Sequence, residues 1–342
     1  MGVAVAVAVV LATAVGTALF RRVATGCGWV ALANARSSHQ GAIPVGAGVV
    51  VLAVTLLAAQ PVALFGWGYV VGAVLLGAVS WADDRRPLPI AVRLIAQLLA
   101  AVAVLATRRS LADLEMSLPF VESFSLGVLT WPLLLLWVVG VINVYNFMDG
   151  IDGMAGLQAV VAGIAWYLLG SRFAMDAAAH FALVVAAASV GFLLHNLSKY
   201  RIFLGDVGSV FLGYSFAALT VNASVANPGG PLFICGALVL WPFLFDTLFT
   251  LGCRWRAGKP LTQAHREHLY QRLVQSGISH VRVSVAYAAL SVLGAGAGAL
   301  LLFRSPLFDV IAMASVVSLA GLLYSWVRHV EKLRTGSQAV TP

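Results

Sequence analysis

The segment Asn143–Gly156 carries the densest group of side chains that could do chemistry. It reads N-V-Y-N-F-M-D-G-I-D-G-M-A-G and follows an almost wholly apolar run. Its amides and carboxylates recur at every third residue, at Asn143, Asn146, Asp149 and Asp152. On a helix this spacing places consecutive members on one face, and Gly150 and Gly153 would then break the helix beside a ligand. Hard oxygen ligands of this kind suit Mg²⁺, whereas an ordinary polar turn between two apolar helices is the alternative.

Two further acidic motifs precede and follow this segment. Asp83 and Asp84 are adjacent in W-A-D-D-R-R-P, and like charges side by side raise one pKa, which suits a proton acceptor. A helix end neutralised by the following arginines is the alternative. Asp206 lies in L-G-D-V-G-S, where Gly205 and Ser209 flank a predicted helix start whose N–H groups favour phosphate. A plain N-cap is the alternative there.

The chain also contains an intramembrane acid and a basic loop. Asp246 lies in the apolar sequence W-P-F-L-F-D-T-L-F-T, and such a carboxylate is a functional candidate unless it pairs with a cation such as Arg254. The segment His265–Arg272 reads H-R-E-H-L-Y-Q-R, in which arginine and histidine can hold a pyrophosphate. A solvated loop near anionic lipid is the alternative. Arg36 and His39, in the first loop, are also predicted to hold a pyrophosphate.

The composition identifies the environment in which these groups must work. The 342 residues are 61% hydrophobic and 10% charged, whereas soluble domains carry about 25% charged residues. The net charge of +8 reflects loops facing anionic lipid, so nucleic-acid binding is not predicted. The three cysteines have no paired spacing, so neither a disulfide framework nor a zinc site is expected.

Eleven apolar segments approach the length of about 20 residues that a bilayer requires. They are 2–20, 45–61, 64–81, 89–106, 127–144, 154–170, 177–195, 207–224, 231–251, 281–302 and 307–327. The first is retained as a span because Arg21 and Arg22 follow it, whereas the charge of a signal peptide comes first. The sequence therefore predicts an all-α polytopic membrane protein with a single domain, residues 1–342.

Alternating these segments divides the loops between the two sides of the membrane. One side holds 17 of the 21 basic residues, so the positive-inside rule makes it cytoplasmic, with the N-terminus outside and the C-terminus inside. Every motif described above falls on that side. The predicted site is built from the loops 21–44, 82–88, 145–153, 196–206 and 252–280.

The motifs, taken in order, resemble those of a known family. Asp83-Asp84, N-V-Y-N-F-M-D-G-I-D-G-M-A-G, L-G-D-V-G-S-V-F-L-G and P-F-L-F-D-T-L-F-T are similar to motifs of the bacterial polyprenyl-phosphate N-acetylhexosamine-1-phosphate transferases. The resemblance runs from about residue 34 to about residue 272. The loop H-R-E-H-L-Y-Q-R-L resembles O-antigen-initiating members more than the phospho-N-acetylmuramoyl-pentapeptide transferase of peptidoglycan synthesis, which is the alternative within the family.

The resemblance implies a particular reaction at the cytoplasmic face of the bacterial inner membrane. N-acetylhexosamine-1-phosphate, expected to be the N-acetylglucosamine compound, passes from a UDP-sugar to undecaprenyl or another polyprenyl phosphate. UMP is released, and a lipid-linked cell-envelope glycan begins. Both substrates are anionic, so Mg²⁺, or Mn²⁺ in its place, is the implied cofactor. The resemblance leaves a homodimer open.

The family's functional residues carry over by motif. Asn146 and Asp206 are the implied metal ligands. Asp83, with Asp84 beside it, would position or deprotonate the lipid phosphate, and His268 would hold the diphosphate or sugar. Asp246 would contact and orient these residues without contacting the substrate itself. The implied substrate-binding residues are Asn143, Asp149, Asp152, Gly205, Ser209, Arg266, Arg272, Arg36 and His39.

The sequence departs from the family pattern in two loops. Val45 stands where the first loop of the family has an arginine, which removes one phosphate contact expected there. Tyr270 and Gln271 stand where many members have histidines, and His268 remains as the matching residue. The resemblance therefore does not specify which N-acetylhexosamine is used.

Three other classes of protein compete with this interpretation. A secondary transporter also carries intramembrane carboxylates, but near the bilayer midplane and often with inverted repeats, whereas these acids collect at one face. A CDP-alcohol phosphotransferase uses D-G-x2-A-R, and the segment Asp152–Gly156 lacks that arginine. A non-catalytic scaffold would leave many acids unpaired near lipid, which is costly.

Overall fold

The computed structural model describes residues 2–31, 42–107, 111, 114–263 and 265–338, which are mostly helical. The helices are α1 Gly2–Gly26, α2 Gly48–Ala59, α3 Val62–Phe65, α4 Trp67–Asp83, α5 Ile90–Ala106, α6 Thr130–Met148, α7 Met154–Arg172, α8 Asp176–Asn196, α9 Asp206–Ala226, α10 Leu232–Val239, α11 Trp241–Arg256, α12 Leu269–Gln275, α13 His280–Leu301 and α14 Pro306–Gln338. Two short antiparallel hairpins join them, β1 Val30–Ala31 with β2 Ile43–Pro44, and β3 Glu115–Leu118 with β4 Val121–Ser125. The predicted all-α fold class is confirmed.

Within the described residues, seven helices are long and apolar enough to cross a membrane, namely α1, α6, α7, α8, α9, α13 and α14. The pair α10 and α11 makes an eighth if it forms one span bent by 73°. Helices α2, α4 and α5 are apolar but shorter. Each of the eleven predicted segments therefore contains a helix. The number of helices that cross the membrane, and their direction, stay predictions.

The bend between α10 and α11 has a local cause. Pro242, in the first turn of α11, has no N–H, so one carbonyl of the preceding turn loses its helical partner. Gln158 of α7 donates from Nε2 to the Val239 carbonyl at 3.0 Å. Trp241 donates from Nε1 to the Leu290 carbonyl of α13 at 2.9 Å. The neighbouring helices α7 and α13 therefore stabilise the bend.

Helix α9 lies at the centre of the fold. Every residue from Val207 to Ser224 is buried, and the helix packs against α2, α4, α6 and α10. A helix that is apolar on all sides is expected in such a position. By contrast, α1 and α14 leave large apolar side chains such as Leu11 and Val317 exposed, as lipid contact requires.

The segment 43–48 runs beside the start of α9 and fixes its first turn. The N–H of Gly48 donates to the Leu204 carbonyl at 2.8 Å. A Cβ at Gly48 would lie 2.2 Å from the backbone nitrogen of Gly208, so only glycine permits this approach. The helix that begins at Asp206 is therefore held at its N-terminus by backbone contacts.

Candidate active site

Three of the predicted motifs meet at one end of the helices. The N–H of Asp206, the first residue of α9, donates to Asp84 Oδ1 just beyond α4 at 3.1 Å. Asn146, in the last turn of α6, donates from Nδ2 to Asp206 Oδ1 at 3.0 Å. The same amide donates to Ser209 Oγ at 3.0 Å. The structure thus brings the ends of α4 and α6 to the start of α9.

Asp84 is the acid in this group that has an unsatisfied oxygen. Its Oδ2 is buried and has no hydrogen-bond partner among the residues that the structure describes. Gly205, at φ +76°, leaves space for this oxygen, since a Cβ there would lie 2.7 Å from it. Burial, and then the carboxylate of Asp206, raises the pKa of Asp84 to about 7. A bound cation would relieve both effects.

Asp83 is engaged by α5 and the loop that precedes it. Its Oδ2 pairs with Arg93 Nη1 at 3.0 Å, and its Oδ1 accepts the N–H of Leu88 at 2.6 Å. The Arg93 side chain is 38% exposed and lines the cleft described below. The sequence does not single out Arg93, because its only signal there is a cation in the first turn of a predicted span.

Asn143 lies one turn before Asn146 and links α6 to α5. Its Nδ2 donates to Gln97 Oε1 at 2.7 Å and to the Val139 carbonyl at 2.7 Å. Both asparagines line the same cleft. The predicted spacing of the two amides on one helical face is therefore confirmed.

Asp149 and Asp152 lie in the turn between α6 and α7, in different surroundings. Asp149 is partly buried, and burial, followed by the neighbouring carboxylates, raises its pKa well above its usual range. Asp152 is 4% exposed, and its Oδ2 lies 3.1 Å from Arg201 Nη1 and 3.1 Å from His280 Nδ1. Asp152 therefore ties this turn to the loop after α8 and to α13, and neither acid lines the cleft.

Asp246 of α11 is fully buried and accepts five hydrogen bonds. The donors are Thr250 Oγ1 at 3.2 Å, His268 Nδ1 at 3.2 Å, the N–H groups of Leu269 at 2.8 Å and Tyr270 at 3.0 Å, and Tyr287 OH at 2.6 Å. The alternative for Asp246 was an ion pair with a cation such as Arg254. Arg254 instead pairs with Glu267, at 3.1 Å. Asp246 thus caps the first turn of α12 and orients His268.

His268 and His265 stack beside the cleft. Their ring centroids lie 4.9 Å apart. Because Asp246 holds Nδ1 of His268, Nε2 is the nitrogen left for a ligand. Burial, and then the charge of His268, lowers the pKa of His265 to about 4. His265 is therefore a neutral imidazole near pH 7.

A cleft of about 490 Å³ extends from these polar groups along apolar helix surfaces. The polar groups of its lining include Arg93, Gln97, Asn143, Asn146, Asp206, His265, His268 and Gln271. Its apolar walls include Leu76, Val79, Ile90, Leu94, Val210 and Leu251. The cleft therefore joins a place for anionic groups to a surface suited to a hydrocarbon chain.

The other predicted substrate-binding residues lie away from this cleft or outside the described part of the chain. Arg272 forms a bidentate ion pair with Glu331 of α14. Arg266 and Arg272 line a separate pocket of about 340 Å³. Arg36 and His39 lie outside the described residues. Position in a basic loop could not show which arginine was already paired.

The groups around α9 fit a hard divalent cation by their chemistry. Asp84 and Asp206 offer carboxylates, one with an orphaned buried oxygen, and Asn146 offers an amide. In the described structure Asn146 turns its Nδ2 to Asp206, so its Oδ1 would bind a cation after rotation of the amide. No group of three or more histidine, cysteine, aspartate or glutamate side chains in the described residues already has metal-binding geometry. Water and substrate oxygens would complete such a site, as is usual for Mg²⁺.

The fold and this site define a class of protein, a multi-pass membrane protein with a cleft that is acidic and amide-rich at one end and apolar along its walls. Residues 66–224 match the family model for glycosyl transferase family 4. That region contains the acids after α4, the Asn143–Gly156 segment and the start of α9. The resemblance found in the sequence is thus confirmed over residues 66–224, just under half of the chain.

Several known proteins are similar to the chain. A probable undecaprenyl-phosphate N-acetylglucosaminyl 1-phosphate transferase of Bacillus subtilis is 28% identical over 216 residues, which cover 63% of this chain and 60% of that protein. A decaprenyl-phosphate N-acetylglucosaminephosphotransferase of Mycobacterium tuberculosis is 31% identical over 159 residues, 41% of this chain and 39% of that protein. An undecaprenyl-phosphate alpha-N-acetylglucosaminyl 1-phosphate transferase of Yersinia pestis is 29% identical over 300 residues, 80% and 78% of the two chains. The chain thus covers less than two thirds of the first two relatives.

Proposed function

We propose that this chain transfers N-acetylhexosamine-1-phosphate, in the first place N-acetylglucosamine-1-phosphate, from a UDP-sugar to a polyprenyl phosphate and releases UMP. The observation that carries the proposal is the cleft, whose polar end offers carboxylate, amide, imidazole and guanidinium groups and whose walls are apolar. A phosphate on a long hydrocarbon chain matches that division. The names of the three relatives support the same acceptor and the same sugar phosphate.

Mg²⁺, with Mn²⁺ as a substitute, is the proposed cofactor. Asp206, Asp84 and Asn146 would hold it, since they are the oxygen donors that converge at the start of α9. When bound, the cation would neutralise charge on the diphosphate of the donor, which favours attack by an anionic acceptor. Asp84 already accepts the first N–H of α9, so it also orients that helix.

Arg93 is the proposed contact for the phosphate of the lipid acceptor. It lies on α5 between Ile90 and Leu94, which belong to the apolar wall. Its guanidinium is held by Asp83 Oδ2 at 3.0 Å, and a paired guanidinium keeps other N–H groups for a phosphate. Asp83 would then position the acceptor through Arg93, and its predicted role as a base stays a prediction.

His268 is the proposed contact for the diphosphate or sugar of the donor. Its Nδ1 is fixed by Asp246, so the ring presents Nε2 in a set direction. Gln271, in the first turn of α12, lines the same cleft. The two residues would therefore both be available to the donor in the cleft.

The proposed location of this site is the cytoplasmic face of the bacterial inner membrane. The side that carries the motifs holds 17 of the 21 basic residues, as cytoplasmic loops do. Nucleotide sugars are made in the cytosol, so the donor would reach the cleft from that side. The product would begin a lipid-linked glycan of the cell envelope.

UMP release tests the proposal directly. The purified protein in detergent receives undecaprenyl phosphate and UDP-N-acetylglucosamine, with Mg²⁺ or with EDTA. We expect UMP only when lipid and Mg²⁺ are both present, and we expect the sugar phosphate on the lipid. Other UDP-N-acetylhexosamines and UDP-N-acetylmuramoyl-pentapeptide form parallel arms. Folded protein that releases no UMP with any donor would refute the proposal, and activity with the pentapeptide donor alone would favour the peptidoglycan enzyme.

A further inference from the structure

Arg272 of α12 and Glu331 of α14 form a bidentate ion pair. Arg272 Nε lies 2.7 Å from Glu331 Oε1, and Arg272 Nη2 lies 2.7 Å from Oε2. The two side chains are only 22% and 31% exposed. Two parallel N–H···O bonds that are partly buried fix the relative orientation of the two side chains as well as their separation. The pair therefore fixes α12 against α14.

Helix α12 has seven residues and depends on its attachments. So short a helix is not stable alone in water. At its start, the N–H groups of Leu269 and Tyr270 donate to Asp246. One turn later, Arg272 joins it to Glu331. Leu269 and Leu273 are also buried in the core, and these two polar attachments, one to α11 and one to α14, add direction to that packing.

The same short helix carries groups that line the cleft. His268 is its N-cap residue and Gln271 lies in its first turn, and both line the cleft. Tyr270 OH donates to the Phe147 carbonyl at the end of α6, 3.1 Å away. A rotation of α12 would therefore displace His268 and loosen the contact to α6 together.

We infer that Glu331, through Arg272, is a positioning residue for the donor end of the site. Arg272 is a strut, meaning a side chain that holds α12 against α14, and not a substrate clamp. Its Nε and Nη2 are directed at Glu331, and unlike Arg93 it does not line the cleft. The C-terminal helix α14 thereby takes part in the site although no residue of α14 lines the cleft. The effect on activity rests on the proposed function, whereas the effect on α12 does not.

Hydrogen–deuterium exchange measured by mass spectrometry tests the strut without any substrate. The full-length protein in detergent is compared with Glu331→Gln, Arg272→Gln and the charge-swapped double variant Arg272→Glu/Glu331→Arg. We expect exchange in the peptide 265–275 to rise about fivefold in each single variant, with α9 unchanged. The swapped pair should regain part of the protection. Lys332→Gln, an exposed neighbour of Glu331 on α14, is the matched control and should behave as wild type.

Kinetics then separate a strut from a clamp. If Arg272 is a strut, both single variants lower kcat alike, and the double variant Arg272→Gln/Glu331→Gln is no worse than either. If Arg272 is a clamp, Arg272→Gln raises KM for the UDP-sugar while Glu331→Gln does not. Wild-type exchange in Glu331→Gln, or the clamp pattern, would overturn the inference. If the wild-type protein releases no UMP but exchange rises in the single variants, the strut is supported. The proposed function is then refuted and the inference about α12 is not.

Discussion

Replacing the Asp246 carboxylate by an amide of the same shape should disturb the site more than its distance from the cleft suggests. Asp246→Asn keeps the volume but exchanges one acceptor oxygen for an NH₂ donor. The carboxylate receives the two backbone N–H groups of Leu269 and Tyr270 on different oxygens. Whichever way the amide turns, one of those N–H groups then faces another donor. Neither backbone group can rotate to escape, whereas the hydroxyl groups of Thr250 and Tyr287 can.

The expected loss of folding stability follows from this one unsatisfied N–H group. One buried backbone N–H left without an acceptor costs about 1–3 kcal/mol. At about 2–4 °C in Tm for each kcal/mol, the range for chains of about 150–250 residues, Tm should fall by at most about 2–12 °C. The amide also holds His268 Nδ1 less firmly than a carboxylate does. We therefore expect kcat for UMP release to fall about 10–100-fold, the range for loss of a group that orients a ligand.

The assay is a thermal unfolding scan in detergent, paired with UMP release. Asp309→Asn is the matched control, since Asp309 accepts the N–H of Phe120 at 3.0 Å in an exposed position and should change Tm little. Thr250→Val removes one of the five donors to Asp246 and leaves both carboxylate oxygens in place, so it should cost less than Asp246→Asn. An Asp246→Asn protein with wild-type Tm and kcat would refute the claim that this carboxylate anchors α12.

Three other perturbations have definite expected outcomes. Asp206→Ala should lower UMP release at least about 100-fold in folded protein, with EDTA giving the same loss in wild type; wild-type activity would remove the metal assignment. Gly205→Ala should lower stability by about 1–3 kcal/mol for its φ of +76°, and more through contact with Asp84. Gly258→Ala, at φ +65° with open space around it, is the control and should keep full activity. His265 has a pKa lowered from 6.5 to about 4, so its stabilising effect is complete above pH 6.5 and is lost as the pH falls towards 4. His265→Gln should weaken that acid sensitivity in unfolding scans.

The helices of this protein could be predicted well from the sequence, because each apolar segment had to be a helix in lipid. Every predicted segment contains one, and the polar motifs fall at helix ends as the apolar runs required. The bend between α10 and α11 was missed, although Pro242 is visible in the sequence. Gln158 donates to the Val239 carbonyl at the bend, and Trp241 in the bend donates to the Leu290 carbonyl of α13. Long-range contacts of this kind have no local signature.

The motifs predict which residues form the candidate site, but they do not predict which partners those residues contact. The proximity of Asn146 to Asp206 followed from two motifs of one family and is present at 3.0 Å. The choice between Asp83 and Asp84 did not follow, because only the structure shows Arg93 on one and an unpaired oxygen on the other. Arg272 was predicted to contact substrate because the sequence does not show that it pairs with Glu331. A cation in a basic loop reveals its charge but not its partner.

The contacts divide the site into two halves with different supports. Asp206 and Asn146 stand on α9 and α6, whose packing in the core fixes them as firmly as the fold itself. His268 and Gln271 lie at the start of α12, a single short helix. It packs Leu269 and Leu273 into the core, and Asp246 and the Arg272–Glu331 pair hold it by polar contacts. Under the proposed function, phosphoryl transfer requires fixed placement of charge, and the first half would supply it. The second half would contact the sugar, and it is where the chain departs from the family it resembles, at Tyr270 and Gln271. If that role holds, substitutions that alter the choice of sugar are expected on α12, although its Tyr270 also contacts the Phe147 carbonyl of α6, next to Asn146.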